Sequence, residues 1–354
     1  MLHNRTFIGY VGTYTKGESK GIYSFTLDTE NAIMSNVKAA ANLENPTYLS
    51  ITKDNQYLYS VAKEGESGGA AAFSINSKTG ELTKLNSQVS KGAAPCHISV
   101  DSEKSLVVTA NYHKGTVESF QINKENGSLT PVLSTIQHEG SGPNKERQEK
   151  AHTHYAGFTP DEKYVVAVDL GIDKLLTYEI RNGELKEKNS LSVKQGSGPR
   201  HIAFHPNGKY AYVMTELSSE VIALAYNAED GSFTELQYIS TIPEDFSENN
   251  QGSAIHISSD GRFVYAGNRG HDSIAVFNVN QDTGELSFVE HTSTEGSWPR
   301  DFVLDPTEKF VIASNQESGN LVLFLRDEST GKLKLLQSGV KVPDPVCVKF
   351  LHVK

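Results

Sequence analysis

An arginine and a glutamate stand at equal distances from one turn glycine. Arg200 lies eight residues before Gly208 and Glu216 eight after it, across the turn Pro206-Asn207-Gly208-Lys209. In an antiparallel hairpin, residues equidistant from the turn sit side by side, so this pair is expected at the hairpin's open end. The same two positions recur. They hold Ser253 and Arg269 around Gly261, and Arg300 and Gln316 in a later unit, while His154 takes the place of Arg200 in an earlier one. Asn111, Asp169, Asn268 and Asn315 stand at nearby strand ends. Two further units hold the blander pairs Thr47 with Lys63 and Cys96 with Tyr112. Arginine forks grip carboxylate or phosphate in two-point fashion. A neutral imidazole beside them can accept a proton near pH 7.

Taken singly, each residue also has a structural reading. Arg200 and Glu216 can simply fix a hairpin, and a lone His154 can be a satisfied core histidine. His152, His201, His205 and His256 occupy other positions of the pattern and are expected to be structural. Cys96 is expected to pack rather than react. The stretch Gly65–Gly69 is a loop, without the strand-to-helix context of a phosphate loop. Convergence favours chemistry: a His, a Glu and arginines from different units must arrive at one place.

The element that positions them is a repeat. The phrase Pro-x-aromatic-aliphatic-x-apolar, a turn, then an apolar run starts at Pro46, Pro95, Thr153, Pro199, Gly252 and Pro299, and its first half returns at Pro345. The spacings are 49, 58, 46, 53, 47 and 46 residues, the range of propeller blades. Each unit continues with a third apolar strand, as in KLLTYEIR or SIAVFNVN, a turn, and a fourth strand such as GELSFVEH. Short alternating runs bounded by Gly, Asp and Asn are strands and hairpins, so each unit is four antiparallel strands, A to D. The N-terminus supplies what the C-terminus lacks. Residues 7–13 fit strand B, residues 21–28 strand C, and a fourth strand falls within residues 32–40, while PVCVKFL at the end is the missing strand A. The expected fold is all-β, a seven-bladed β-propeller of four-stranded antiparallel blades. It is one domain over residues 1–354, closed by pairing the C-terminal strand with the N-terminal ones. An open β-solenoid would not need an unfinished last unit. Strand A is innermost in a blade, so the same end of every A–B hairpin rings one mouth of the central channel.

Composition narrows the function. The chain has 354 residues and a formal net charge of −10, with no basic run or stripe, so no nucleic-acid partner is expected. Two cysteines, Cys96 and Cys347, make neither a disulfide framework nor a zinc site. Met1–Tyr14 has no signal-peptide layout and no apolar run approaches 18 residues, so a cytoplasmic protein without membrane contact is expected. Fifteen Tyr, fifteen Phe and 29 Gly suit strands and turns. Oligomeric state is left open.

The rim residues also carry a resemblance. HTHYAGFTPD (152–161), GSGPRHIAFHPNGKYAYVMTEL (196–217), IPEDFSENN (242–250), AIHISSDGRFVYAGNR (254–269) and WPRDFVLDP (298–306) resemble the propeller-type 6-phosphogluconolactonase family, related to 3-carboxy-cis,cis-muconate lactonizing enzymes. The likeness spans essentially the whole chain. It implies an active site of a His, an Arg, a Glu and a second Arg, which fall on His154, Arg200, Glu216 and Arg269. Arg300, Gln316, Asp169, Asn268 and Asn315 are the expected substrate-binding neighbours. No metal and no cofactor is expected.

The implied substrate is a phosphorylated sugar lactone of the pentose phosphate pathway. Hydrolysis needs an activated water, an oxyanion stabiliser and a grip on the substrate's charge. Arginines beside Glu216 make it a weak base, so His154 is the expected base, with Glu216 orienting it or an arginine; the reverse assignment is the alternative. One arginine would face the oxyanion and another the phosphate, in an order the sequence does not assign. The rival functions are a muconolactone-type cycloisomerase and a non-catalytic interaction scaffold. Against the scaffold, the repeat has no Trp-Asp ending, and the single Trp, Trp298, precedes Pro299. A quinoprotein is weakened by the missing secretion signal.

Overall fold

The computed structural model describes residues 5–353, and among these all regular structure is β. Residues 1–4 and 354, which the one-domain expectation takes in, lie outside the described residues. The strands form seven separate four-stranded antiparallel sheets. Blade 1 is strand A Pro345–Phe350, B Thr6–Thr13, C Gly21–Asp28 and D Ile33–Asn42. The innermost strands of blades 2 to 7 are Leu49–Ile51, His97–Val100, Thr153–Phe158, Pro199–Phe204, Gln251–Ile257 and Pro299–Leu304. Each of these touches the innermost strand of the next blade, and Pro345–Phe350 touches both Pro299–Leu304 and Leu49–Ile51. The ring is therefore closed as the sequence predicts.

Apolar alternation explains the packing. Strands B and C are the most deeply buried, and their side chains form seven clusters, each between two consecutive blades. The closing interface is built like the rest: Val348 and Phe350 pack with Val11, Phe25, Phe310 and Leu323. Hydrogen bonds staple blades as well. Tyr10, Tyr59, Tyr212 and Tyr265 on B strands each donate at 2.7 Å to a glycine carbonyl in the next blade's C–D turn, at Gly80, Gly127, Gly284 and Gly331. These glycines sit at φ of 76 to 80°, where any other residue is strained.

The hairpin register differs from the symmetric one. Pro199 pairs with Thr215 but His201 pairs with Met214, so Arg200 is the extra residue of a β-bulge. His154 and Arg300 occupy the same bulge in blades 4 and 7, and blade 6 is bulged between Gly252 and Ile255. Glu216 therefore lies opposite Gly198, to whose carbonyl its N–H donates at 2.7 Å, and Arg269 lies opposite Gln251. A bulge re-aims the side chain it carries. It recurs at the rim, where side chains must leave the blade and face the axis.

Candidate functional site

Glu216 follows strand B of blade 5 and is the hub of the rim. Arg269, ending strand B of blade 6, donates from Nη2 to Glu216 Oε1 at 2.5 Å and to the Gly252 carbonyl at 2.7 Å. Arg200 brings Nε to 3.3 Å from the same Oε1. The side chains of these three residues are only 3–4% exposed. Arg300 donates to Gln316 Oε1 at 3.3 Å and lies over the Tyr14 ring, 5.2 Å from its centre. Arg269 lies over Trp298 at 5.4 Å. Trp298 holds φ at +67°, an unusual conformation for a bulky residue.

His154, Glu216, Arg269 and Arg300 all line one cavity of about 500 Å³ at the channel mouth. Through the shared walls of Thr47, Cys96, His154 and Arg300 it narrows to a space of about 10 Å³ lined by Arg200, His201 and Tyr48. Hollows of about 620 and 840 Å³ elsewhere gather no arginine. Although the chain is acidic, the cavity walls hold Lys63, Arg147, Arg269 and Arg300 against Glu216 alone. This excess of cations suits an anionic ligand.

The electrostatics separate the two candidate bases. Burial, and then Arg200, hold the His154 imidazole well below its usual value, against an upward pull from Glu216. Its Nδ1 is buried with no hydrogen-bond partner. For Glu216 burial pulls upward, but the guanidiniums of Arg269, Arg200 and Arg147 hold the carboxyl well below the usual carboxylate range. Both shifts weaken the group as a base, through burial first for the imidazole and through guanidinium charge for the carboxylate. Glu216 makes no hydrogen bond to His154; its oxygens are taken by arginines. The expectation that Glu216 orients an arginine fits this geometry, and orientation of His154 does not. The Cys96 thiol is pushed up to about 12 by burial, which suits a packing residue.

Four of the five expected binding residues do not line the cavity: Gln316 is buried behind Arg300, from whose guanidinium it accepts a hydrogen bond, and the other three bond elsewhere. Asp169, Asn268 and Asn315 are fully buried and do not line the cavity. Their polar atoms hold backbone instead. Asp169 accepts the N–H groups of His152 and Gly171 and pairs with His138 at 2.7 Å. Asn268 and Asn315 donate to the carbonyls of Thr241 and Thr294. Ser253 also turns away, bonding the Pro299 carbonyl. Among the other histidines, His152 is held by the Tyr112 carbonyl and Glu149, as a structural residue would be. His201 instead stands in the channel, 5.2 Å from His154 between ring centres, with Nε2 unpartnered. Among the described residues no three His, Cys, Asp or Glu side chains are grouped to hold a metal ion, and no helix is long and apolar enough to cross a membrane.

One cavity-lining arginine lies outside the repeat. Arg147, in the loop joining blades 3 and 4, reaches Glu216 Oε2 with Nη2 and lies near the Tyr112 hydroxyl. It has no repeat-equivalent position. Nor does its own loop mark it out, since Lys145 and Lys150 stand on either side.

The chain matches the family described as lactonase, 7-bladed beta-propeller over residues 8–350. It is 63% identical over 346 residues to the 6-phosphogluconolactonase of Bacillus subtilis, covering 98% of this chain and 99% of that one. A solved protein of Lactobacillus plantarum superposes with a TM-score of 0.94 at 44% identity, over 98% of this chain and 100% of its own. The periplasmic gluconolactonase of Pseudomonas aeruginosa does so at 0.92 and 31%, over 99% and 100%. The closed seven-blade ring and these likenesses along its whole length lead to one statement: the chain belongs to the seven-bladed β-propeller lactonase family.

Proposed function

We propose that this protein hydrolyses 6-phosphoglucono-1,5-lactone to 6-phosphogluconate, a step of the pentose phosphate pathway, in the cavity at the channel mouth. One observation carries the reading: His154 lines a cavity whose walls hold Lys63 and three guanidiniums, those of Arg147, Arg269 and Arg300, against the single carboxylate of Glu216. His154 takes a proton from a water that attacks the lactone carbonyl. The oxygen of that carbonyl becomes an oxyanion, and a guanidinium stabilises it. The intermediate collapses by breaking the bond from the carbonyl carbon to the ring oxygen. The imidazolium returns its proton to that leaving oxygen, and the new acid ionises.

The arginines divide by their partners. Arg269 is committed to Glu216 and a backbone carbonyl. Arg200 keeps Nε and Nη1 without hydrogen-bond partners, and lies beside His154 where the cavity narrows. We assign the oxyanion to Arg200, while Glu216 and Arg269 hold the guanidinium array in place. Arg300, steadied by Gln316 behind it, contacts substrate hydroxyls from blade 7. Phosphate esters do not cross membranes unaided, so the cytoplasm, where they are made, is the proposed location.

The test is release of 6-phosphogluconate from freshly made lactone, coupled to 6-phosphogluconate dehydrogenase and corrected for spontaneous opening. Glucono-1,5-lactone and a muconolactone are run beside it. A rate equal to the blank on the phosphorylated lactone sinks the reading, and turnover of the muconolactone alone replaces it with the cycloisomerase.

A further inference from the structure

Arg147 differs from the other two guanidiniums on Glu216, those of Arg200 and Arg269, in three ways. A loop carries it rather than a strand end. Its side chain is 31% exposed, against 3–4% for Arg200 and Arg269. It takes the outer oxygen of Glu216, Oε2, while Arg269 and Arg200 share Oε1. The loop backbone beneath it is fixed. Asn144 Oδ1 accepts the N–H groups of Glu146 and Arg147 at 3.1 Å. The neighbouring Gln148 is wholly buried and donates to the Leu170 carbonyl and to Asp173. His152 and His138 bind Asp169 at the loop's end. The guanidinium can therefore swing on a rigid base, and it is the member of the cluster with room to do so.

Glu216 does not need it. One carboxylate carries a single negative charge and already has two buried guanidiniums on Oε1. A phosphate monoester carries about −1.5 to −2 at pH 7 and three acceptor oxygens. When such a group enters the outer cavity it competes for Arg147 with more charge than Glu216 has left to offer. Removing Arg147 exposes Oε2 to the cavity, where it can accept a hydroxyl of the sugar ring. Lys63, His113 and Tyr112 line the same outer wall.

We propose that Arg147 is the phosphate-reading residue of this site, released from Glu216 by the substrate's phosphate so that phosphorylated lactones both bind and uncover the carboxylate. This assignment rests on the hydrolytic reading above and adds to it the source of the preference for phosphate.

The experiment measures kcat/KM of wild type, Arg147→Gln and Arg147→Lys on 6-phosphoglucono-1,5-lactone and on glucono-1,5-lactone, corrected for spontaneous hydrolysis. Losing a charge-assisted contact to phosphate costs about ten-fold or more. The Gln variant is expected to lose at least that much more on the phosphorylated lactone than on the plain one, and Lys to restore part of the difference. In wild type, added phosphite dianion should raise turnover of the plain lactone by freeing Glu216. An unchanged substrate preference in Arg147→Gln overturns the assignment. Should neither variant fold, absence of phosphite activation in wild type overturns it too. A wild type inactive on the phosphorylated lactone removes the functional reading and this one with it, whereas an active wild type with an indifferent variant removes only this one.

Discussion

Glu216 and Arg269 are joined by a 2.5 Å contact between Oε1 and Nη2, with both side chains 4% exposed. They come from adjacent blades, so the pair also ties blade 5 to blade 6. Glu216→Gln keeps the shape and removes the charge, leaving Arg269 and Arg200 buried without a counter-ion. Breaking a buried pair from one side costs about 3–5 kcal/mol. Urea unfolding of the variant is expected to show a loss of that size. A loss below about 1 kcal/mol would mean that the arginines reach water or another anion once Glu216 is neutral.

Arg200→Met and Arg269→Met separate oxyanion from phosphate. Both side chains are buried on Glu216, and neither is free to follow a substituent of the substrate. Each variant is expected to lose the same factor on phosphorylated and plain lactones. For Arg200 that factor is about 10²–10³ in kcat, the usual effect of removing an oxyanion donor. A ten-fold greater loss on the phosphorylated lactone for either variant moves the phosphate contact inward to that arginine.

The blades, their strand order and the closing strand were legible because apolar alternation and turn chemistry recur seven times, and repetition averages out local ambiguity. The site was legible only as a neighbourhood. Counting outward from Gly208 assumes an unbroken ladder, and one extra residue per hairpin breaks it. Arg200 is thus not the ladder partner of Glu216, yet its side chain still reaches it because the bulge turns it toward the axis. Asp169, Asn268 and Asn315 show the other limit. A polar residue at a strand end can face the channel or cap the following loop, and these three cap loops. Arg147 obeys no period, so no repeat could have pointed to it.

Closure gives a prediction of a different kind. Deleting residues 345–354 removes the innermost strand of blade 1 and with it the Phe25–Phe350 contact, 5.5 Å between ring centres. It also removes the Ser314 bond to the Val346 carbonyl and the reciprocal bonds between Asn55 and His352. The exposed edge of Thr6–Thr13 is then a template for other chains. The truncated protein is expected to aggregate or to melt far below the full chain. A monomer with an unchanged Tm, measured by light scattering and calorimetry, would show that the ring does not depend on this strand.

The acid limb of kcat/KM identifies the base. His154 is held below its usual value by burial and Arg200, with Glu216 pulling the other way. A general base works deprotonated, so activity is expected to be flat at neutral pH and to fall on the acid side, below pH 6.5, as His154 takes its proton. His154→Gln cannot take a proton, and loss of a general base costs about 10²–10⁴-fold in rate. The residual rate of this variant should lack the limb. Glu216→Gln removes the group that favours the imidazolium, so the limb should move to still lower pH, with a smaller loss of rate. Arg200→Met removes a cation that disfavours the imidazolium, so its limb should move up. The two shifts are opposite in sign, which no common loss of stability would produce. Profiles of all four proteins, each corrected for spontaneous lactone opening, decide the matter. If His154→Gln keeps the wild-type limb and Glu216→Gln abolishes it, the carboxylate is the base despite its three guanidiniums, and the roles assigned here are reversed.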